Sequence, residues 1–341
     1  MHYLPITIFA GFGLIIGSFL NVLILRYNTG KGLGGRSECF SCGRNLTTRD
    51  LLPVVSFLLY GGRCRTCKSK ISKQYVLVEL ATALLFVLTY VHNQYLLPGY
   101  AGSGELAMAG IAGATSFPWL FLIKSIIDCA IMSLFVFMAG YDIRHKIIPD
   151  GSVFLFAILA LLGWWATVGF SWWHLAAGPL LALPFYLIWL LSGGRWMGLG
   201  DAKLALGFGW MLGLSAAGTA AIFGFWAGAV YALAIVLLRP DVRLKNKILL
   251  LICLALVLYA ESTYGMIMIS NAFMATVLIV MACMIVISRT QFLKRLTRWG
   301  YLPALRMKTE VPFAPFLIVG LLIVYVLGYN LFTFWIGLWP L

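Results

Sequence analysis

Long apolar runs separated by short basic stretches set the pattern of this chain. A bilayer crossing needs about 20 predominantly apolar residues. Ten runs approach that length: 4–25, 75–92, 119–140, 152–170, 173–192, 203–219, 221–238, 247–261, 264–288 and 312–337. Their apolar positions are continuous rather than alternating, so they predict helices and not the strands of a membrane barrel. The run 203–219 is rich in glycine and alanine, which suits close approach of neighbouring helices. The stretch 96–118 is apolar but broken by Pro98, several glycines and Glu105. It fits an extramembrane loop or a re-entrant piece.

Composition agrees with an integral membrane protein. Of 341 residues, 62% are hydrophobic and 11% charged, against about 25% charged in soluble domains. The net charge of +14 raises nucleic acid as a partner. However, the basic residues lie between apolar runs, where they read as topology, and no nucleic-acid partner is expected. The loop 26–74 carries ten of them, from Arg26 to Lys73. Alternating the ten spans puts Arg144, Lys146, Arg195, Lys203 and the basic clusters at 239–247 and 289–311 on the same side. Only Lys124 is left over. The excess of Lys and Arg marks that side as cytoplasmic, with both termini facing outward. The first run has no basic residue before it and no small-residue cleavage site behind it, so it reads as a membrane helix rather than a signal peptide.

Seven cysteines fall into two groups. Cys129, Cys253 and Cys283 lie in apolar runs and read as small buried hydrophobes. Cys39 and Cys42, then Cys64 and Cys67, form two CxxC pairs in one basic loop. Four thiolates at such spacing fit a tetrahedral Zn²⁺. With every position filled by cysteine, the metal would be structural, since a catalytic zinc keeps an open position. The competing reading is a pair of disulfides, which a reducing cytoplasm disfavours.

The candidate chemistry lies in acids beside apolar stretches. A carboxylate at the bilayer centre costs roughly 2.5–3.5 kcal/mol on insertion scales. Asp142 stands in the frame Tyr141-Asp142-Ile143-Arg144-His145-Lys146-Ile147-Ile148-Pro149-Asp150, and Asp201 in Gly198-Leu199-Gly200-Asp201. Two carboxyls sharing a proton can activate water and hydrolyse a bond. Both fall at cytoplasmic helix ends, so a shared site is topologically possible. Taken singly, each has a plainer reading: Asp201 as a helix N-cap, Asp142 as an ion-pair partner of Arg144 or Lys146. Gly198 and Gly200 would let backbone approach backbone. Asp150 reads as the cap of the helix that follows, Asp128 as a partner of Lys124 one turn away, and Glu79 as a partner of a basic loop residue or a substrate-positioning group.

Together these residues resemble the type 4 prepilin peptidases, the prepilin leader peptidase/N-methyltransferases of the GxGD intramembrane aspartic protease group. The resemblance runs through Gly17 to Val22 with Arg26, Arg36-Ser37, the two CxxC pairs with Leu52-Pro53-Val54-Val55-Ser56 between them, Tyr75 to Glu79, both aspartate frames, and Pro312 to Leu317. It implies a catalytic pair, Asp142 and Asp201, with Gly198, Gly200, Lys203, Glu79 and Asp150 in support. It also implies cleavage of prepilin or pseudopilin leaders at the cytoplasmic face of the bacterial inner membrane. Many members then N-methylate the new terminus, with S-adenosylmethionine as donor. The chain departs from the family pattern at Phe40, at Ala314 and in an apparent insertion over 241–310.

The expected architecture is therefore an all-α polytopic bundle of about 8–10 transmembrane helices in contact with membrane lipid, with a small cytoplasmic zinc-knuckle loop. Its parts would be a first helix (1–25), the four-cysteine loop (26–74), a catalytic bundle (75–240), an inserted hairpin (241–310) and a closing helix (311–341). A proton-coupled transporter using intramembrane acids and a membrane-anchored zinc module that only binds partners are the alternatives.

Overall fold

A computed structural model describes residues 3–29, 32, 34–99, 118–195, 197–238, 313–328 and 330. Its helices are α1 (Tyr3–Arg26), α2 (Val55–Leu59), α3 (Gln74–Gly99), α4 (Pro118–His145), α5 (Asp150–Val168), α6 (Trp172–Ser192), α7 (Leu199–Leu212), α8 (Leu214–Leu238) and α9 (Ala314–Leu327). Among the described residues there are no strands, only two isolated bridges in the four-cysteine loop. Six helices, α1, α3, α4, α5, α6 and α8, are long and apolar enough to cross a membrane. The chain is a multi-pass membrane protein. The runs expected at 247–261 and 264–288, the insertion over 241–310 and most of 96–118 lie outside the described residues.

The chain divides into two compact units, Met1–Phe223 with Pro312–Leu341, and Gly224–Val311. In the second, the described residues are the later turns of α8. In the first, α1 packs along α3, α4 touches α1, α3, α5 and α9, and α7 packs against both α5 and α6.

Small residues set the closest approaches. A Cβ built on Gly13 would lie 2.5 Å from Ala83 Cα, and one on Gly17 would lie 2.7 Å from Glu79 Cα. Gly13 and Gly17 are four apart, so they form a GxxxG face that lets α1 and α3 touch backbone to backbone. Gly209 plays the same part between α7 and α6, where a Cβ would meet Ala177 O at 2.5 Å.

Two helix boundaries differ from the expected ones. The spans 203–219 and 221–238 are observed as Leu199–Leu212 and Leu214–Leu238. The break falls at Gly213, whose φ of 77° a residue with a side chain rarely adopts. Apolar residues continue on both sides of it, so hydropathy carries no trace of the turn. At 14 residues, α7 rises only about 21 Å, short of a full crossing. The other difference is α4, which continues past 140 to His145. Asp142 therefore sits on its last turn rather than in a loop.

The core joins the two aspartate-bearing helices. Phe135 of α4, Phe156 of α5 and Phe208 of α7 are almost wholly buried. Their ring centroids lie 4.8, 6.0 and 6.2 Å apart in edge-on geometry.

Candidate active site

Asp142 lies seven residues after Phe135, and Asp201 lies seven residues before Phe208. Seven residues is two helical turns, about 10 Å along the axis, and keeps each acid on the face of its helix that carries the phenylalanine. With α4 and α7 running in opposite senses, the aromatic cluster brings both carboxyls to one end of the bundle. The charge of Asp142 reaches Asp201. Both are buried, at 5% and 6% exposure.

Each acid receives a backbone donor from a helix N-terminus, where the first N–H groups have no partner within the helix. Asp142 accepts one from Ala314, the first residue of α9. Its Oδ2 is buried without a hydrogen-bond partner among the described residues, which leaves an acceptor free beside the second acid. Asp201 accepts one from Gly198, the N-cap of its own helix. Asp201 is thus not the cap. It stands three residues inside and reaches back, as the acid of a capping box does.

Gly198 and Gly200 differ in their surroundings. A Cβ on Gly200 would lie 3.1 Å from Ile148 Cδ1, so the glycine lets α7 start against the Ile148-Pro149 turn. At Gly198 the nearest such contact is Asp201 Oδ2 itself, at 3.7 Å. Asp150 is not a cap either: the N-cap of α5 is Pro149, and Asp150 occupies the first turn. Its Oδ1 accepts a hydrogen bond from Lys203 Nζ at 2.7 Å. The two supporting residues expected from the sequence therefore pair with each other across α5 and α7, at the exposed mouth of the site.

Among the described residues Glu79 finds no basic partner. Its Oε2 accepts the Val54 backbone N–H at 2.7 Å, and Ser18 of α1 adds a side-chain hydrogen bond. Val54 presents that N–H from a φ of 58°, an uncommon conformation for a β-branched residue. Asp128, as expected, pairs with Lys124 at 2.7 Å. It also accepts from Asn93 Nδ2 at 3.1 Å and from the Tyr325 hydroxyl at 3.0 Å. That last contact ties α9 to α4 about three turns along from Ala314.

The sequence did not point to the Ala314 N–H or to Tyr325. The first is a backbone group and leaves no side-chain signal. The second is one tyrosine in an apolar run, legible only once Asp128 is known to face it.

The four cysteines gather as their spacing predicts, with all four Sγ atoms within 4.8 Å of one another. Cys39 Sγ and Cys67 Sγ are 3.8 Å apart. Zinc–sulfur bonds of about 2.3 Å in a tetrahedron require nearly that edge. Backbone donors from Ser41 and then Cys42 pull the Cys39 thiol down to about 6. The Ser69 side chain and backbone lower that of Cys67. Cys39 and Cys67 thus favour the thiolate, the form that binds metal, whereas Cys42 is pushed up to about 11. These residues can hold a metal ion, which would fold the loop and leave no open position for chemistry.

Comparison with known proteins decides the family. The model of the bacterial peptidase A24 N-terminal domain matches residues 12–93, and that of the type IV leader peptidase family matches residues 129–233. A prepilin leader peptidase/N-methyltransferase of Aeromonas salmonicida is 30% identical over 258 residues, covering 67% of this chain and 80% of the relative. One of Bacillus subtilis is 30% identical over 227 residues, covering 66% and 81%. This chain belongs to the type 4 prepilin peptidase family. A third prepilin peptidase, from Pseudomonas aeruginosa, is 30% identical over 221 residues, covering 56% of this chain and 67% of the relative. No solved structure matches. The two matched prepilin peptidase segments contain both aspartates, the four cysteines and Glu79, whereas Ala314 and Tyr325 lie beyond them.

Proposed function

We propose that this peptidase is an intramembrane aspartic endopeptidase in which Asp142 and Asp201 share one proton and remove the leader of type 4 prepilins or pseudopilins. The observation that carries the reading is the placement of two buried carboxyls at one end of the bundle, each with a backbone donor and one with a free oxygen. Like charges at such range do not both ionise readily, so the pair titrates as a unit. The ionised member takes a proton from water as that water attacks the scissile carbonyl. The protonated member hydrogen-bonds the carbonyl oxygen, and the leaving amine receives a proton as the C–N bond breaks. The Ala314 N–H steadies charge on Asp142, and the Gly198 N–H does so on Asp201. The four cysteines hold zinc as a structural ion outside the reaction.

The excess of Lys and Arg beside these helix ends supports a site on the cytoplasmic face, and we place it in the inner membrane. The other buried acids among the described residues argue against a proton-relay transporter. Asp128 is committed to Lys124, Asn93 and Tyr325, and Glu79 to Val54 and Ser18.

The test is cleavage of a prepilin peptide by the purified protein. Asp142→Asn and Asp201→Asn each abolish cleavage while expression and thermal stability persist. Wild-type rates in both variants would overturn the assignment. The relatives' names add N-methyl transfer, for which S-adenosylmethionine would be the donor. Incorporation of labelled methyl into the cleaved product checks it, and no transfer by active protease would leave a peptidase alone.

A further inference from the structure

The loop between α1 and α3 exposes an apolar face that neither the zinc site nor the aspartates use. Leu51, Leu52, Val55, Leu58 and Leu59 are 41–71% exposed. The last three are spaced i, i+3 and i+4, which places them on one side of α2. Phe57 points the other way, its ring against Gly62, where a Cβ would lie 2.7 Å from Phe57 Cζ. The short helix is thus two-faced: one side closes on the second cysteine knuckle, and the other is exposed among the described residues. Adjacent large apolar side chains left in water mark a contact surface.

Depth identifies what covers this one. The Val54 N–H is bonded to Glu79, which lies five residues into α3. The apolar helix α3, long enough to cross a membrane, starts at Gln74, so the start of α2 is tied to a residue about 7 Å along it. Interfacial helices bury their apolar face about 5–10 Å into the boundary between headgroups and acyl chains. Lipid is the medium at that level. Charge agrees with this placement. Arg63, Arg65, Lys68 and Lys70 follow directly and are exposed. Arg65 lies over the ring of Tyr60, the residue that ends α2. Hydrogen bonds from Gly62 N to Phe57 O and from Ile71 N to Gly62 O, 2.8 Å each, fasten the basic knuckle to the helix.

We propose that residues 51–59 dock in the bilayer as an interfacial segment, with the following basic knuckle held on anionic phospholipid headgroups. The docked segment fixes the height of the zinc module beside the opening of the catalytic bundle. It acts through position and takes no part in the reaction.

The experiment uses the full-length protein in nanodiscs, with p-benzoylphenylalanine introduced at Leu58, at Leu59, at lipid-facing Leu84 of α3, or at Lys68. After irradiation, mass spectrometry reads phospholipid adducts. Adducts are expected in high yield at 58, 59 and 84 and in lower yield at 68, which stays at headgroup level. Yields at 58 and 59 should rise about fivefold or more from phosphatidylcholine to phosphatidylglycerol-rich discs, the order set by even one basic residue near an anionic surface. Absence of adducts at both 58 and 59 while 84 is labelled would overturn the proposal. So would equal yields in the two lipids, or capture of an added prepilin peptide in place of lipid.

Discussion

Gly17→Ala tests whether contact between α1 and α3 sets the position of Glu79. The added methyl would sit 2.7 Å from Glu79 Cα and 3.2 Å from Val78 O, which are backbone atoms that cannot rotate away. Ordinary contact begins near 3.4 Å, so the helices must part by at least about 0.7 Å, and overpacking of this kind costs about 1–3 kcal/mol. At about 2–4 °C per kcal/mol, thermal unfolding in detergent should fall by about 2–12 °C. Glu79 moves with α3, away from Ser18 on α1, so the hold on Val54 loosens as well. Hydrogen exchange at 51–59 should accelerate. Gly11→Ala is the matched control, since it lies on the same helix with nothing within 4 Å of its Cβ. It should be neutral or slightly stabilising by helix propensity. Equal melting temperatures and equal exchange at 51–59 for the two variants would refute the reasoning.

Other outcomes follow from individual contacts. Asp128→Asn leaves Lys124 without its partner and should cost about 3 kcal/mol, whereas Tyr325→Phe removes one interhelical hydrogen bond and should cost about 1 kcal/mol. Melting of both in one detergent checks the order, and a larger loss for Tyr325→Phe would contradict it. Lys203→Met breaks only the exposed pair with Asp150 and should change stability by less than about 1 kcal/mol, read from the same melts. Chelation, or Cys64→Ser, should release the bound metal and unfold the loop, because structural zinc and folding are one equilibrium; metal content and hydrogen exchange at 37–70 follow it. Asp50 is held below the ordinary carboxylate value by the Thr47 backbone N–H, then by the Thr47 hydroxyl and by Arg44. A lowered value stabilises the folded loop above the usual carboxylate range of about 4. That contribution is lost as pH falls through the folded value. Exchange at 44–50 should therefore quicken below about pH 4, and Asp50→Asn should show the faster exchange already at neutral pH.

Apolar runs of 18 to 22 residues read out as helices because burying backbone in lipid leaves no other solution. The four cysteines read out because thiolate spacing is itself metal geometry. Helix ends were harder. Gly213 breaks α7 from α8 within unbroken apolar sequence, and Asp142 stays helical because His145 and Lys146, not Gly140, mark the turn. The acids were found as residues, and Asp128 was matched to Lys124, but the partners of Asp150 and Glu79 were not. Asp150 meets Lys203 rather than its own helix end, and Glu79 meets a backbone amide rather than an arginine. Partners from distant segments, like the GxxxG contact of α1 with α3, depend on which faces meet. That is a property of packing, invisible in one strand of letters until two helices are laid together.

The donor to Asp142 comes from residue 314, translated long after both acids. A ribosome that has delivered only the first seven described helices has made both halves of the proposed dyad without the group that steadies one of them. On the proposed mechanism, the dyad would therefore be completed late in biogenesis, after both acids are already in place.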